Sequence, residues 1–320
     1  MWSLSFWAPV LIFAGINAIV AIGVYVALMS GQLSVGHAAF MGIGGYSSGM
    51  LTAELGWPFL PATAVAVLIG AAVGALIAIL TLRMNPLVVG LATLAFGESV
   101  VVLAINTEAI GGTGLTGMPN FVGLGTVFVT VIIVTVLVRR LEHSGIGLAA
   151  RAVRDSPLAA SCMGVNILRV RMSTFAMGTG IAALGGALDA HYTLFLHPSD
   201  MAFWVSIQFL IFAIFGGSYV VWGALIGALF LTMLPEVFRV AFDFADSASQ
   251  SLRLIAYGVA LTAVVILRPE GLIAVKPNMA RRPGLHLPRR RGRESRHMPA
   301  QIDARSPTRH SQSSAHEGER

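Results

Sequence analysis

Glu98 is the residue whose chemistry stands out most in this chain, because its carboxyl group lies near the middle of the apolar run LVVGLATLAFGESVVVLAI. A charged carboxylate at the centre of a membrane costs about 2.5–3.5 kcal/mol on insertion scales, so an interior, functional position is the default expectation. A hydrogen-bonded structural role is an equal alternative. His37 is the other ionisable candidate within an apolar run. A proton-driven carrier usually needs a relay of several such groups, and this sparse set argues against one.

Two further motifs have residue types that form binding sites in other proteins. Gly112–Gly117 has the sequence GTGLTG, but G-x-G-x-x-G binds dinucleotides only between a strand and a helix. We predict a flexible external turn there. His191, His197, Asp189 and Asp200 cluster near another external loop without a zinc signature. The sequence therefore predicts a solvated or interfacial loop, with no metal site, no cofactor and no catalytic residue.

The numbers and positions of the lysine and cysteine residues exclude further classes of function. Lys276 is the only lysine, and no G-x-x-x-x-G-K-[ST] motif precedes it. A P-loop ATPase needs that lysine against the β- and γ-phosphates, so this polypeptide is not predicted to be an ATPase of that type. Cys162 is the only cysteine, which excludes an internal disulfide and a cysteine metal cluster. We expect no enzymatic activity.

The segment 139–171 is the one long polar interruption among apolar runs, and it holds six of the ten basic residues that precede Pro269. Its middle predicts one small, Ala-rich amphipathic helix around residues 151–164. Asp155 to Pro157 indicates a turn or a helix start, because proline fits a first helical turn, and Gly164 has the position of a C-cap. Such a loop can simply fix the topology, but these capping signals favour a docking surface for a partner.

The elements that must position these residues are apolar helices. The chain is 56% hydrophobic and 11% charged, with a mean hydropathy of +0.78, whereas soluble domains have about 25% charged residues. The apolar runs are continuous and do not alternate at period two, which disfavours a β-barrel. The sequence therefore predicts an all-α integral membrane protein.

Nine apolar segments are predicted to span the membrane. They lie near residues 8–29, 34–53, 59–82, 87–106, 121–138, 172–190, 203–218, 221–238 and 251–267. Arg83, the 139–171 loop and Arg268 all fall on one side, and most acidic loop residues fall on the other. The positive-inside rule places the arginine side in the cytoplasm. We therefore predict an external N-terminus and a cytoplasmic C-terminus.

The second segment, SVGHAAFMGIGGYSSGMLTA, is weakly hydrophobic for a span because it is rich in glycine and serine. Gly45 and Gly49 form a G-x-x-x-G pair, as do Gly70 and Gly74 in the next segment, and small residues let helix backbones approach closely. A packed helix and a broken element that lines a pathway both fit this composition. We predict an interior helix that does not face lipid.

The end of the chain differs from the rest. From Lys276 onward it is rich in Arg, Pro and Ser and has almost no large apolar residues. We predict a membrane domain over residues 1–275 and a basic, disordered cytoplasmic tail over residues 276–320. Membrane lipid is the expected partner of this tail, at about 1 kcal/mol for each charge near anionic headgroups. A nucleic-acid partner is not predicted.

Several motifs occur along the chain in an order that resembles one known family. GQLSVGHAAFMGIGGYSSGML, from Gly31, looks like the signature G-Q-x-S-x-G-H-x-x-F-x-G-x-G-x-Y. GLATLAFGE, from Gly90, and GGTGLTGMP, from Gly111, resemble a T-L-x-F-x-E segment and an external Gly-rich loop. RAVRDSPLAASCMGVN, from Arg151, is similar to a cytoplasmic coupling segment, and FGGSYVVWGALIGA and RPEGLI match the end of the pattern. Over roughly residues 8–275, the chain resembles permease subunits of ATP-binding-cassette importers for branched-chain amino acids, of the LivM type.

The resemblance implies a fold, a mechanism and a set of partners. A second homologous permease subunit pairs with this chain, two ATP-binding-cassette ATPase subunits bind below, and a periplasmic or other extracytoplasmic binding protein delivers substrate. It further implies alternating-access transport of branched-chain amino acids across the cell inner (cytoplasmic) membrane, with ATP hydrolysis on the separate ATPase chains. Hydroxyls, backbone groups and helix ends can hold a zwitterionic amino acid, which agrees with the scarce intramembrane charge.

Two sets of residues are predicted to carry this function. The ATPase-coupling residues are Arg151, Arg154, Asp155, Pro157, Ala159, Ala160 and Gly164. The residues expected at the translocation pathway are Gly36, His37, Gly42, Gly45, Tyr46, Thr93, Phe96 and Glu98.

Two alternative functions also fit the sequence. Permeases for urea, short amides or other amino acids share nearly the same motifs, so the sequence does not separate their substrates well. A stand-alone secondary carrier is the less favoured alternative.

Overall fold

The structure is a computed structural model that describes residues 4–81, 84–107 and 114–241, together with residues 258 and 262. The chain divides between Val275 and Lys276 into two units, and only the first contains described residues. The predicted disordered tail (276–320) lies outside the described residues, as does the predicted ninth span (251–267) except for those two isolated positions.

Ten α-helices make up most of the described chain. They are α1 (Leu4–Leu28), α2 (His37–Ala53), α3 (Phe59–Thr81), α4 (Pro86–Asn106), α5 (Leu124–His143), α6 (Gly145–Asp155), α7 (Pro157–Cys162), α8 (Ile167–Thr193), α9 (Phe203–Gly216) and α10 (Val221–Ala241). A short 3₁₀ helix, Pro198–Met201, lies between α8 and α9.

Eight of the nine predicted spans coincide with helices, namely α1 to α5 and α8 to α10. Within the described residues, α1, α3, α4 and α5 are long and apolar enough to cross a membrane, by length and composition. The apolar helices α9 and α10 provide shorter stretches. The total of nine spans and the orientation of the termini stay predictions.

Local sequence signals account for several helix boundaries. Asn85 has an extended backbone and Pro86 begins α4, as expected for a residue that needs no hydrogen-bond partner for its nitrogen. The Asn166 side chain accepts a hydrogen bond from the Arg169 N–H at 3.0 Å and thereby caps α8. At the other end of α8, Leu194 has φ of 60°, and this left-handed backbone ends the helix.

Helices α1, α2 and α8 form the centre of the bundle. Twelve of the 17 residues of α2 are buried, and α8 packs against α1, α2 and α3. In contrast, α3, α4 and α5 expose large apolar side chains such as Leu60, Leu87 and Phe128. The burial of α2 confirms the prediction of an interior helix, and the exposed apolar faces are those expected to meet lipid.

Glycines allow the central helices to touch through their backbones. A Cβ atom on Gly186 of α8 would overlap the carbonyl oxygen of Met41, and one on Gly44 of α2 would overlap the backbone of Ala183. The G-x-x-x-G pair of α3, at positions 70 and 74, instead packs against side chains of α8, those of Ala183 and Thr179. The predicted close approach of small-residue helices is therefore present in the fold.

The described chain also contains two strands of two residues, which the all-α prediction did not include. Leu115–Thr116 and Phe195–Leu196 pair antiparallel, with Leu115 opposite Leu196. They join the loop that precedes α5 to the loop that follows α8. The Leu115 and Leu196 side chains are buried, so apolar packing fixes this contact between two loops, while the membrane part of the described chain is helical.

Candidate functional site

The polar loop between α5 and α8 folds into two short helices. Ser144 caps α6, and its hydroxyl accepts the Gly147 N–H at 3.4 Å. Ser156 has an extended backbone and caps α7 through the Ala159 N–H at 3.3 Å. Pro157 occupies the first turn of α7, as the sequence predicted.

The end of α7 is a Schellman motif. Gly164 has φ of 81°, its N–H donates to the Ser161 carbonyl, and the Val165 N–H donates to the Ala160 carbonyl, both at 3.0 Å. This hydrogen-bond pair ends a helix when a glycine adopts the left-handed conformation. The predicted C-cap role of Gly164 is confirmed in this form.

The prediction of one helix around residues 151–164 is wrong, because the chain bends at Ser156 between α6 and α7. Proline has no N–H to donate and its ring clashes with the preceding turn, so an uninterrupted helix through Pro157 is disfavoured. The bend gives the pair two faces, one against the bundle and one directed away from it.

The outer face of the pair is apolar and exposed. Leu158 and Met163 have exposed fractions of 77% and 84%, and Ile146 and Leu148 of α6 are also exposed. Four of the seven predicted coupling residues are also exposed, namely Asp155, Pro157, Ala159 and Gly164. Ala160 is instead buried, since it lies on the inner face of α7.

Arg154 points inward and binds the turn between α9 and α10. Its Nη1 donates to the Ser218 carbonyl at 2.6 Å and its Nη2 donates to the Ser218 hydroxyl at 2.9 Å. The guanidinium carbon also lies 4.5 Å from the centroid of the Tyr219 ring. The sequence predicted Arg154 as a coupling residue, and in this chain its charged group contacts the bundle itself.

Arg151, the other predicted arginine, approaches a buried carboxylate. Its Nη2 lies 3.9 Å from Oε2 of Glu142, which is 5% exposed as a side chain. The Val221 N–H donates to Oε1 of Glu142 at 2.7 Å, and the Tyr25 hydroxyl donates to the same oxygen. Glu142 thus links α1, α5, α6 and α10, a role that was not predicted from the sequence. The one indication in the sequence is that Glu142 is an acidic residue close to the arginines of the loop.

The chain enters α2 through a partly buried, non-helical segment, residues 30–36. Its Val35 N–H donates to the Thr93 hydroxyl at 3.0 Å, and the Ala38 N–H donates to the Ser206 hydroxyl at 3.1 Å. A Cβ atom on Gly36 would overlap the Thr93 carbonyl oxygen. The predicted pathway residues Gly36 and Thr93 therefore hold α2 against α4.

The other predicted pathway residues of α2 lie in two environments. Gly42 meets the Met201 side chain and Gly45 meets Leu196, so neighbouring elements fill the space beside both glycines. Tyr46 instead borders a cavity of about 200 Å³, which is lined by Ile43, Tyr46, Ser47, Met50, Val100, Leu103, Ala104 and Met201. The described chain thus brings Tyr46, and not these two glycines, to an open space.

His37 and Phe96 belong to an aromatic cluster at the start of α2. The His37 ring is fully buried and lies 6.1 Å from the rings of Phe40 and Phe175. Phe96 of α4 lies 5.2 Å from Phe40. This packing joins α2, α4 and α8, and a role of these residues at the pathway stays a prediction.

Glu98 accepts a hydrogen bond from the Phe203 N–H, at 3.0 Å from Oε1, and so binds the first turn of α9. This contact supports the structural alternative that the sequence left open.

We expect Glu98→Ala to lower the stability of the protein by about 1 kcal/mol, the typical cost of a lost N-terminal cap. Glu98→Gln keeps the acceptor and should retain both stability and uptake, as measured by thermal unfolding and substrate transport. Strongly reduced uptake by a stable Gln variant would instead assign the carboxylate to the pathway.

His191, His197 and Asp200 have separate local partners, and Asp189 and His191 are buried, so the prediction of a solvated loop is wrong for these two. His191 Nε2 lies 3.0 Å from the Thr52 hydroxyl, and the His197 N–H donates to Asp200 at 3.1 Å in a capping box of the 3₁₀ helix. In the part of the chain that the structure describes, no group of three His, Cys, Asp or Glu side chains could hold a metal ion. The first part of the GTGLTG motif lies outside the described residues, and its end forms one of the two short strands.

Comparisons with known proteins agree with this architecture. Residues 7–267 match the family described as the branched-chain amino acid transport system permease component. The high-affinity branched-chain amino acid transport system permease protein LivM of Escherichia coli strain K12 is 25% identical over 295 residues, covering 81% of this chain and 66% of that relative. A probable LivM protein of Methanocaldococcus jannaschii is 24% identical over 230 residues, 66% of each chain.

A second type of relative matches a shorter region. The permease protein LivH of Escherichia coli strain K12 is 28% identical over 149 residues, which cover 46% of this chain and 44% of that relative. The match spans just under two thirds of the length of the LivM relatives. No solved structure matches the chain. The apolar helices and these similarities together identify a multi-pass membrane protein.

Proposed function

We propose that this chain, which belongs to the family of branched-chain amino acid transport system permease components, is the membrane-spanning subunit of an ATP-driven importer. It translocates branched-chain amino acids across the cell inner membrane by alternating access. The observation that carries the proposal is the α6–α7 pair, which is fastened to the bundle on one side and presents exposed apolar side chains on the other. The names of the LivM relatives support the substrate class.

The outer face of α6–α7 is the docking surface for an ATP-binding-cassette ATPase subunit. Leu158 and Met163 are the largest apolar side chains exposed on α7 and its C-terminal end, and such side chains anchor helices in the grooves of partner proteins. A separate ATPase supplies the energy, because the single lysine of this sequence is not in a P-loop motif. ATP-driven movement of the docked helices switches the permease between its two states.

The remaining partners follow from the same proposal. Relatives named LivM and LivH both resemble this chain, which supports pairing with a second, homologous permease. A soluble binding protein delivers the substrate from the external side, and two ATPase subunits dock below. The pathway lies next to α2 and α4, where Tyr46 borders the cavity of about 200 Å³.

Reconstitution into proteoliposomes tests this function. The chain alone should give no accumulation of leucine, whereas the complex with its second permease, its ATPase subunits and its binding protein should accumulate leucine only with ATP. A complex whose ATPase subunits cannot hydrolyse ATP is the matched control. Accumulation by the chain alone, driven by a proton or sodium gradient, would show a secondary carrier and overturn the proposal. ATP-driven uptake of urea or amides without leucine would overturn the substrate class alone.

A further inference from the structure

The inner face of α6 is fastened to the membrane bundle by two arginines, Arg151 and Arg154, that belong to one helical turn. One residue, Ser144, separates α6 from α5. A Cβ atom on Gly147 would overlap the Leu141 carbonyl oxygen, so α6 folds back tightly on the end of α5. A Cβ atom on Gly31, which follows α1, would lie 3.5 Å from the Cα atom of Arg154. Helix α6 is therefore held between the ends of α1 and α5.

The contact between Arg154 and Ser218 is the strongest of these links. Two guanidinium nitrogens donate to the carbonyl and hydroxyl oxygens of one residue, at 2.6 and 2.9 Å. Hydrogen bonds from a charged donor are shorter and stronger than neutral ones, and the planar fork fixes their direction. The Tyr219 ring beneath the guanidinium adds a cation–π contact. A movement of α6 along the direction of the Arg154–Ser218 hydrogen bonds must therefore displace the turn between α9 and α10.

Glu142 extends the connection into the bundle. It is 4% exposed, and its Oε1 accepts the N–H of Val221, the first residue of α10. A carboxylate at a helix N-terminus also interacts favourably with the helix dipole. The Tyr25 hydroxyl, which donates to Glu142, lies 3.2 Å from the Tyr219 carbonyl. The start of α10 and the Tyr25 side chain of α1 therefore share one buried carboxylate that faces Arg151, and the turn before α10 contacts the same tyrosine.

We infer that Arg154 and Glu142 are positioning residues that transmit movement of α6 to α1 and to the turn between α9 and α10. This inference rests on the proposed function, because it requires an ATPase that moves the α6–α7 pair. The outer face of the pair binds the partner, and the inner face passes the displacement to the membrane helices. Loss of the contacts that Arg154 and Glu142 make with the bundle uncouples ATP hydrolysis from transport. The docking surface on the outer face stays intact.

The test uses Arg154→Met in the full complex, since methionine keeps an aliphatic side chain and removes the guanidinium. Leucine uptake and ATP hydrolysis are measured on the same proteoliposomes, and the result is the number of leucine molecules transported per ATP. We expect this ratio to fall about tenfold, within the usual range of coupling between two sites, with a wild-type amount of assembled complex. Arg140→Met is the matched control, because Arg140 is exposed and makes no hydrogen bond or ion pair among the described residues.

A second variant distinguishes a coupling defect from a folding defect. Ser218→Ala removes only the hydroxyl that accepts from Arg154, and combining it with Arg154→Met should lower the ratio no further than Arg154→Met alone. An unchanged ratio in Arg154→Met, including a parallel loss of uptake and hydrolysis, would overturn the inference and indicate a structural role. If the wild-type complex shows no ATP-driven uptake, the proposed function fails, which is a distinct result.

Discussion

Leu158→Asp is expected to release the ATPase subunits from this chain and to abolish ATP-driven uptake. The Leu158 side chain is 77% exposed on the outer face of α7, so the folded chain tolerates a polar group there. In the complex, the same side chain would lie in an apolar groove, where an unpaired carboxylate is costly. Interface residues of this kind contribute about 2–4 kcal/mol, which corresponds to a loss of affinity of about 30-fold to 1,000-fold.

The measurement is co-purification of the ATPase subunits with the tagged chain, followed by uptake in proteoliposomes. Leu158→Met is the matched control, because it keeps an apolar side chain of similar volume and should assemble normally. The amount of Leu158→Asp protein in the membrane should equal that of the wild type. Normal assembly of the Asp variant would show that the partner binds elsewhere, and the docking surface would have to be reassigned.

Gly186→Ala is expected to give the largest loss of stability. The new methyl group would overlap the carbonyl oxygen of Met41, which belongs to the backbone of α2 and cannot rotate away. Helices α2 and α8 would have to separate, and overpacking of this kind costs about 3 kcal/mol. We expect a markedly lower temperature of unfolding in detergent and little monodisperse protein by size-exclusion chromatography.

Gly125→Ala is the control for this substitution. Gly125 is also in a helix, α5, but a Cβ atom there meets no other atom within 4 Å. Alanine favours a helix over glycine by about 1 kcal/mol, so this variant should be as stable as the wild type or more stable. Equal stability of Gly186→Ala and Gly125→Ala would mean that the α2–α8 contact is looser than the structure indicates.

The helices and their ends were largely predictable. A continuous apolar run has one way to satisfy its backbone in lipid without forming a closed barrel, and that is a helix. The start and the end of the short helix α7 in the polar loop could also be predicted, because Pro157 fits a first helical turn and Gly164 can adopt a positive φ. These signals are local, since each depends on a few neighbouring residues.

The roles of the loop residues were less predictable. Arg151 and Arg154 belong to a segment that the sequence assigns to partner docking, yet both guanidinium groups are directed at the bundle. Glu142 gave no pattern of its own, because its partners Tyr25 and Val221 lie 117 and 79 positions away along the chain. Glu98 gave a clear signal as a carboxylate in an apolar run, but its contact with Phe203 was not visible in the sequence.

By itself, the sequence determined that this is a helical membrane protein with one ordered polar segment and a small-residue helix in its interior. Composition and hydrophobic periodicity are enough to predict these features, because they indicate which residues cannot face water or lipid. Only the tertiary structure decided which side of α6 is free, which predicted pathway residues are packed, and that Glu142 joins four helices. Those outcomes depend on which distant segments meet, and burial and hydrogen bonding between them are set by the assembled bundle.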